Sequence, residues 1–133
     1  MVRKKSWITT VAVIAAGGSL LMAAGVLAQA SNGCYVKIFD DENFKGRTAT
    51  LRGPSRDDTL KDNKWSGTNK FIGDDTDSLI TGPNSYFEGF EDKNFKGTVI
   101  KVGPNKRIAD IEANGGDEIE SYKLYDKKPA HWK

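Results

Sequence analysis

The 133-residue sequence holds one cysteine, one histidine and four prolines. A single cysteine excludes an intramolecular disulfide, and one histidine beside one cysteine cannot assemble a zinc cluster or a nucleophile–base pair. Catalysis is the least supported class for that reason. Charge of one sign is scarce too, with 20 basic and 18 acidic residues. So even a balance gives no long-range field favouring nucleic acid or an anionic membrane. A sustained helical period is missing outside the amino terminus, where Arg107 to Ala113 allows at most a single turn.

What is present begins with a leader. Met1-Val2-Arg3-Lys4-Lys5 is a basic start, an apolar and small-residue run extends from about Trp7 to Leu27, and Ala28-Gln29-Ala30 reads as a cleavage site. Residues 1–30 are therefore expected to be a secretory signal peptide, and the protein to be secreted or periplasmic with no stable membrane anchor after cleavage. The run is long enough to span a bilayer, but Thr9, Thr10, Gly17, Gly18 and Ser19 dilute it. Ser31-Asn32-Gly33 before Cys34 is unlike a lipobox. Taking Arg3, Lys4 and Lys5 from the 20 basic residues leaves 17 against 18 acids, so the basic pI of the whole chain belongs to the leader. One small domain remains, expected over residues 31–126 and expected to be monomeric, with 127–133 as a frayed tail in which His131 and Trp132 are inert. An exported domain of this size without disulfides needs a bound ion or efficient β packing. Cys34 is expected at the edge of the first strand, with intermolecular pairing the lesser alternative.

The strongest signal is internal repetition. Phe39-Asp40-Asp41-Glu42-Asn43-Phe44-Lys45-Gly46 returns 51 residues later as Phe90-Glu91-Asp92-Lys93-Asn94-Phe95-Lys96-Gly97. Each copy would be a unit that needs its neighbour to bury an apolar face. Gly53-Pro54 and Gly103-Pro104 stop the strands that follow, and the acidic turns ending at Ser78 and Ser121 recur at a spacing of 43. Strands are expected from Cys34 to Phe39, Thr48 to Leu51, Lys70 to Ile72, Ser78 to Thr81, Tyr86 to Phe90, Thr98 to Val102, Ile108 to Ile111, and Ser121 to Tyr125. Arg56 to Ser66 is expected to be a long loop pinned by Leu60 and Trp65. Eight short strands in two equivalent halves, 34–82 and 85–126, indicate an all-β sandwich of two Greek-key motifs.

The aromatic–six residues–glycine spacing, found twice and followed each time by an acidic turn ending in serine, resembles the βγ-crystallin superfamily. That resemblance implies a folded hairpin from Phe39 to Gly46 and another from Phe90 to Gly97. It also implies calcium binding, up to two ions, at Gly73-Asp74-Asp75-Thr76-Asp77-Ser78 and Gly116-Asp117-Glu118-Ile119-Glu120-Ser121. Both segments depart from the family signature: glycine stands at the first position and a carboxylate replaces the hydroxyl at the fifth. Carried over, one site would use Asp77 with the carbonyls of Asp75 and Glu91, and the other Glu120 with the carbonyls of Glu118 and Asp40. Asp74 and Asp117 would brace their loops. The bland alternative is that both are solvated polar turns bonded to nearby backbone.

The expected function is an exported, non-catalytic calcium-binding protein with a structural or stress-protective role. The alternative is an inhibitor, toxin-like or surface-binding module acting on a protein or glycan through the Arg56–Lys64 loop. An exposed Trp65 would favour a glycan, and a buried Trp65 a scaffold.

Overall fold

The computed structural model describes residues 32–116 and 118–133. The leader assigned to 1–30, and Asp117, lie outside the described residues. Eight strands form: β1 (Tyr35–Asp41), β2 (Lys45–Arg52), β3 (Ser55–Asp57), β4 (Ser78–Thr81), β5 (Tyr86–Asp92), β6 (Lys96–Val102), β7 (Arg107–Ile108) and β8 (Ser121–Tyr125). Among the described residues there is no α-helix, and no helix is long and apolar enough to cross a membrane.

The strands make two antiparallel sheets ordered β2-β1-β4-β7 and β3-β8-β5-β6. Each half of the chain thus contributes three strands to one sheet and lends its third strand to the other. That exchange makes the two Greek keys one folding unit, because neither sheet is complete without the opposite motif.

Alternation along β1 places Val36 and Ile38 inward, across from Leu51, Ala49 and Leu79. In the second sheet Phe87 lies in register with Val102 and Leu124, and Gly89 with Ile100 and Tyr122. These residues, with Leu60, Trp65, Ile72, Ile111 and Ile119, form one core. A period of two along β1, β2, β5, β6 and β8 supplies the sheet side of this core, and Leu60, Trp65, Ile72, Ile111 and Ile119 come from the segments between strands.

Five details differ from the sequence-based expectations. The strand expected over Ile108 to Ile111 is only the two-residue β7, Arg107–Ile108. The stretch Arg56 to Ser66 is not all loop: Ser55–Asp57 pairs with β8, and Leu60–Asp62 is a single 3-10 turn capped by Thr59, whose hydroxyl accepts from the Lys61 amide at 3.2 Å. Lys70–Ile72 is not a strand; it makes one bridge, Phe71 to Lys64, and the Ile72 amide donates to the Asn63 carbonyl at 2.8 Å. Cys34 is not an edge residue but is 1% exposed in the core, where burial, aided by Asp126, raises its thiol pKa. A buried thiol of that kind is unsuited to pairing between molecules. Finally, residues 127–133 do not fray: His131 and Trp132 bond to Glu88 on β5.

Candidate functional site

The two folded hairpins are near copies in space. Asn43 and Phe44 have φ of 61° and 62°, and Asn94 and Phe95 both have 61°. Such left-handed pairs are costly for non-glycine residues, so something must hold them. In the first hairpin Phe39 meets Phe44 edge to face at 5.7 Å, and in the second Phe90 meets Phe95 at 5.8 Å. Ser78 then accepts from the Phe44 amide at 3.0 Å and donates to the Asp41 carbonyl at 2.6 Å. Ser121 does the same with the Phe95 amide at 3.0 Å and the Asp92 carbonyl at 2.6 Å. The glycines Gly46 and Gly97, at φ of 83° and 86°, close the folds. A Cβ at Gly46 would run into the Asp40 carboxylate. The serine ending each acidic turn is therefore a brace for the hairpin, which accounts for its recurrence.

The exchanged third strands complete each end. Arg107 of β7 places its guanidinium 4.4 Å from the Phe44 ring, and Arg56 of β3 lies 4.8 Å from Phe95. The Asn43 amide donates to the Ala109 carbonyl and the Asn94 amide to the Asp58 carbonyl. The Ile111 amide donates to Asp77, and the Leu60 amide to Glu120.

Backbone bonds tie each acidic turn to its own motif. The Asp77 amide donates to the Phe39 carbonyl at 2.9 Å, and the Glu120 amide to that of Phe90 at 2.9 Å. Each turn is thus fastened to the hairpin of its own motif, and residues 109–111 or 58–60 of the other motif bond to the same end. Glu91 uses its side chain within its own hairpin, accepting from the Thr98 amide at 3.2 Å. Asp40 is held by Arg47, whose backbone amide and Nε both donate to its carboxylate. Asp75 lies 3.9 Å from the Arg47 guanidinium. Glu118 is exposed.

The two fifth-position acids meet different surroundings. Burial and then the charges of Glu42, Asp41, Asp75 and Asp110 push the Asp77 carboxyl above its ordinary value. Glu120 instead lies 3.6 Å from the Lys61 ammonium. Beside Asp77 a cavity of about 250 Å³ is lined by Thr76, Asp77, Ile111, Glu112 and Glu118. The hydroxyl of Thr76, a residue 2% exposed, has no hydrogen-bond partner among the described residues. Among the described residues no three His, Cys, Asp or Glu side chains converge into a metal-binding group. An ion here would need backbone and hydroxyl oxygens to complete its shell, which is ordinary for calcium. The Asp77 turn fits a hard cation on those terms, whereas the Glu120 turn has the Lys61 ammonium beside its carboxylate.

The paired hairpins, the serine braces and the exchanged strands define a crystallin-type structural domain. The chain carries the double Greek-key fold of the βγ-crystallin superfamily. It is similar to a βγ-crystallin domain from Clostridium beijerinckii, at 25% identity and a TM-score of 0.52, covering 69% of this chain and 98% of that one. A βγ-crystallin from Ciona intestinalis is 25% identical with a TM-score of 0.53, covering 68% and 99%. A domain studied for the evolution of the eye-lens βγ-crystallin fold gives a TM-score of 0.58 at 24% identity, covering 70% and 86%. No protein-family model and no curated protein matches the sequence.

Three features escaped sequence reasoning. Lys61 sits in a stretch read as loop, so its pairing with Glu120 was invisible. Thr76 looked like a variable turn position. Glu88, an acid between Phe87 and Gly89, gives no signal that a segment 43 residues away covers it. One signal was available: Arg56 and Arg107 are also 51 residues apart, so the repeat extends into the third strands.

Proposed function

We propose that this is an exported, non-catalytic structural domain with a stress-protective role that binds calcium at the Asp77 turn. The observation that carries the reading is the setting of Asp77, beside a cavity it lines with Thr76, Glu112 and Glu118, where burial and then Glu42, Asp41, Asp75 and Asp110 raise its carboxyl. A hard cation would relieve that repulsion and take Asp77 and the Asp75 carbonyl as ligands. Its binding would stabilise the folded state by linkage. Trp65, 1% exposed, supports a scaffold over a glycan-binding surface, and β3 with Leu60 ties down the loop that an inhibitor would need free.

Calorimetry and thermal melts with calcium or chelator test this. Calcium at 100 times its dissociation constant should add about 2.7 kcal/mol. Asp77→Asn should remove that gain, and Glu120→Gln should leave it. An unchanged melting temperature, with no heat of binding at millimolar calcium, would overturn the reading.

A further inference from the structure

Glu88 is 3% exposed although its alternation places it on the outer face of its sheet, away from Phe87 and the core. The cover comes from residues 131 and 132, beyond β8. Glu88 Oε2 accepts from His131 Nε2 at 2.5 Å and from Trp132 Nε1 at 2.7 Å, while Oε1 accepts from the Tyr125 hydroxyl at 3.1 Å. The Trp132 ring meets Tyr86 edge to face at 5.6 Å, and His131 meets Tyr125 at 6.1 Å. Two of the three donors on this carboxylate thus belong to one short terminal segment.

That segment is lightly held. No residue from 127 to 133 is fully buried; only Pro129 and Trp132 are half-buried, and the rest are exposed. Little apolar area opposes its release. The catch itself would not be stranded either, because Lys101 of β6 and Lys123 of β8 stand directly across from Glu88 on the same face. Closed, the carboxylate has three charge-assisted hydrogen bonds; open, it would face water, with Lys101 and Lys123 on the neighbouring strands. Both states satisfy the charge, which is the requirement for a reversible device.

We infer that residues 127–133 are a clasp that opens and closes on an otherwise folded domain, with Glu88 as its catch. The groups facing Glu88 are Tyr125 and Lys123 from β8, Lys101 from β6 and His131 from the clasp; Arg56 of β3 lies one strand beyond, in register with Lys123. Burial alone would raise the Glu88 carboxyl, but the bonds from Trp132, His131 and Tyr125 overcome it and lower the pKa. A lowered pKa means that the closed state is favoured above the ordinary carboxylate range and is lost as pH falls through the shifted value. The clasp is closed at neutral pH and opens in acid.

Hydrogen exchange of the Trp132 indole N–H, compared with the Phe87 backbone amide in the same core strand, reads the two motions separately. In the wild-type chain Trp132 should be protected by about tenfold or more over a free indole, yet exchange at least about tenfold faster than Phe87 once intrinsic rates are divided out. Its protection should fall in acid while that of Phe87 persists. Glu88→Gln should bring Trp132 close to the free-indole rate with Phe87 unchanged. His131→Ala, which leaves the catch intact, should cost Trp132 several-fold and serves if the first variant does not fold. Trp132 exchanging only as slowly as Phe87 would mean that the segment is a fixed part of the fold. Trp132 protection unchanged in both variants, or absent in the wild type, would equally overturn the clasp.

Discussion

The two ends of this sandwich share a skeleton and differ in charge. At the first end the hairpin carries Asp41 and Glu42, and the opposite motif adds Asp110 and Glu112. At the second end the positions 51 residues away are Asp92 and Lys93 on the hairpin, and Thr59 and Lys61 on the exchanged segment. Three replacements, Lys93 for Glu42, Thr59 for Asp110 and Lys61 for Glu112, convert an acidic nest into a neutralised turn. The backbone barely registers them: the hairpin φ angles agree within 3° and the serine bonds have equal lengths. Fold and local charge are therefore carried by different residues. The aromatics, glycines and serines set the shape, and the residues between them set the charge at each end.

If the skeleton is symmetric, its removal should cost the same at both ends, and this is the largest effect we expect. Ser78→Ala and Ser121→Ala each delete two hydrogen bonds and leave a hairpin amide and a carbonyl unsatisfied. Each should destabilise by about 3 kcal/mol, measured by urea unfolding. A difference of more than about 1 kcal/mol between them would show that one brace has support the other lacks.

If charge alone separates the ends, transplanting it should equalise them. Lys61→Glu combined with Lys93→Glu restores the acidic pattern around Glu120 without touching the serine brace. The double variant should gain a second calcium-binding event, adding about 1.4 kcal/mol of stability at ten times the new dissociation constant. A titration unchanged from wild type would mean that the longer Glu120 side chain, and not Lys61 and Lys93, disqualifies this turn.

Much of this architecture was legible because it is periodic. Val36 and Ile38, the Phe39–Gly46 and Phe90–Gly97 hairpins and the Gly-Pro stops report their roles at fixed spacing. The third strands were harder, since Ser55–Asp57 and Arg107–Ile108 are too short for alternation and pair only with the opposite motif. The repeat holds at 51 through Leu60 and Ile111 and at 43 from Asp77 and Glu120. The eight extra residues of the first half therefore fall after Leu60, in the stretch that buries Trp65. Reading Arg56 to Ser66 as one loop hid β3 inside it. The acids were legible as acids, but their pKa values depend on neighbours that the exchange delivers from the other motif, and Asp110 beside Asp77 cannot be read from the turn itself.

The smallest effect tests the electrostatic half of the comparison by its sign. The Asp77 carboxyl is raised above the ordinary aspartate value of 3.8 by burial, then by Glu42, Asp41, Asp75 and Asp110. A raised carboxyl means that the folded state holds its proton more tightly than the unfolded chain. Stability is then lost as pH climbs from 3.8 through the shifted value, and the deficit persists at neutral pH. Asp77→Asn removes the deficit, so in chelator at pH 7 the variant should be more stable than wild type. Asp77 is exposed to solvent, and screening holds the gain to roughly a few tenths of a kcal/mol. Below pH 3.8 the curves should converge, because wild-type Asp77 is then neutral in both states. Calcium should reverse the order at pH 7, making wild type the more stable protein, since the crowding that penalises the empty turn is what favours the ion. Paired thermal melts at pH 7 in chelator and in calcium give both signs in one experiment. A variant less stable than wild type in chelator would show that Asp77 serves its own fold more than it strains it, and the contrast with Glu120 would lose its electrostatic basis.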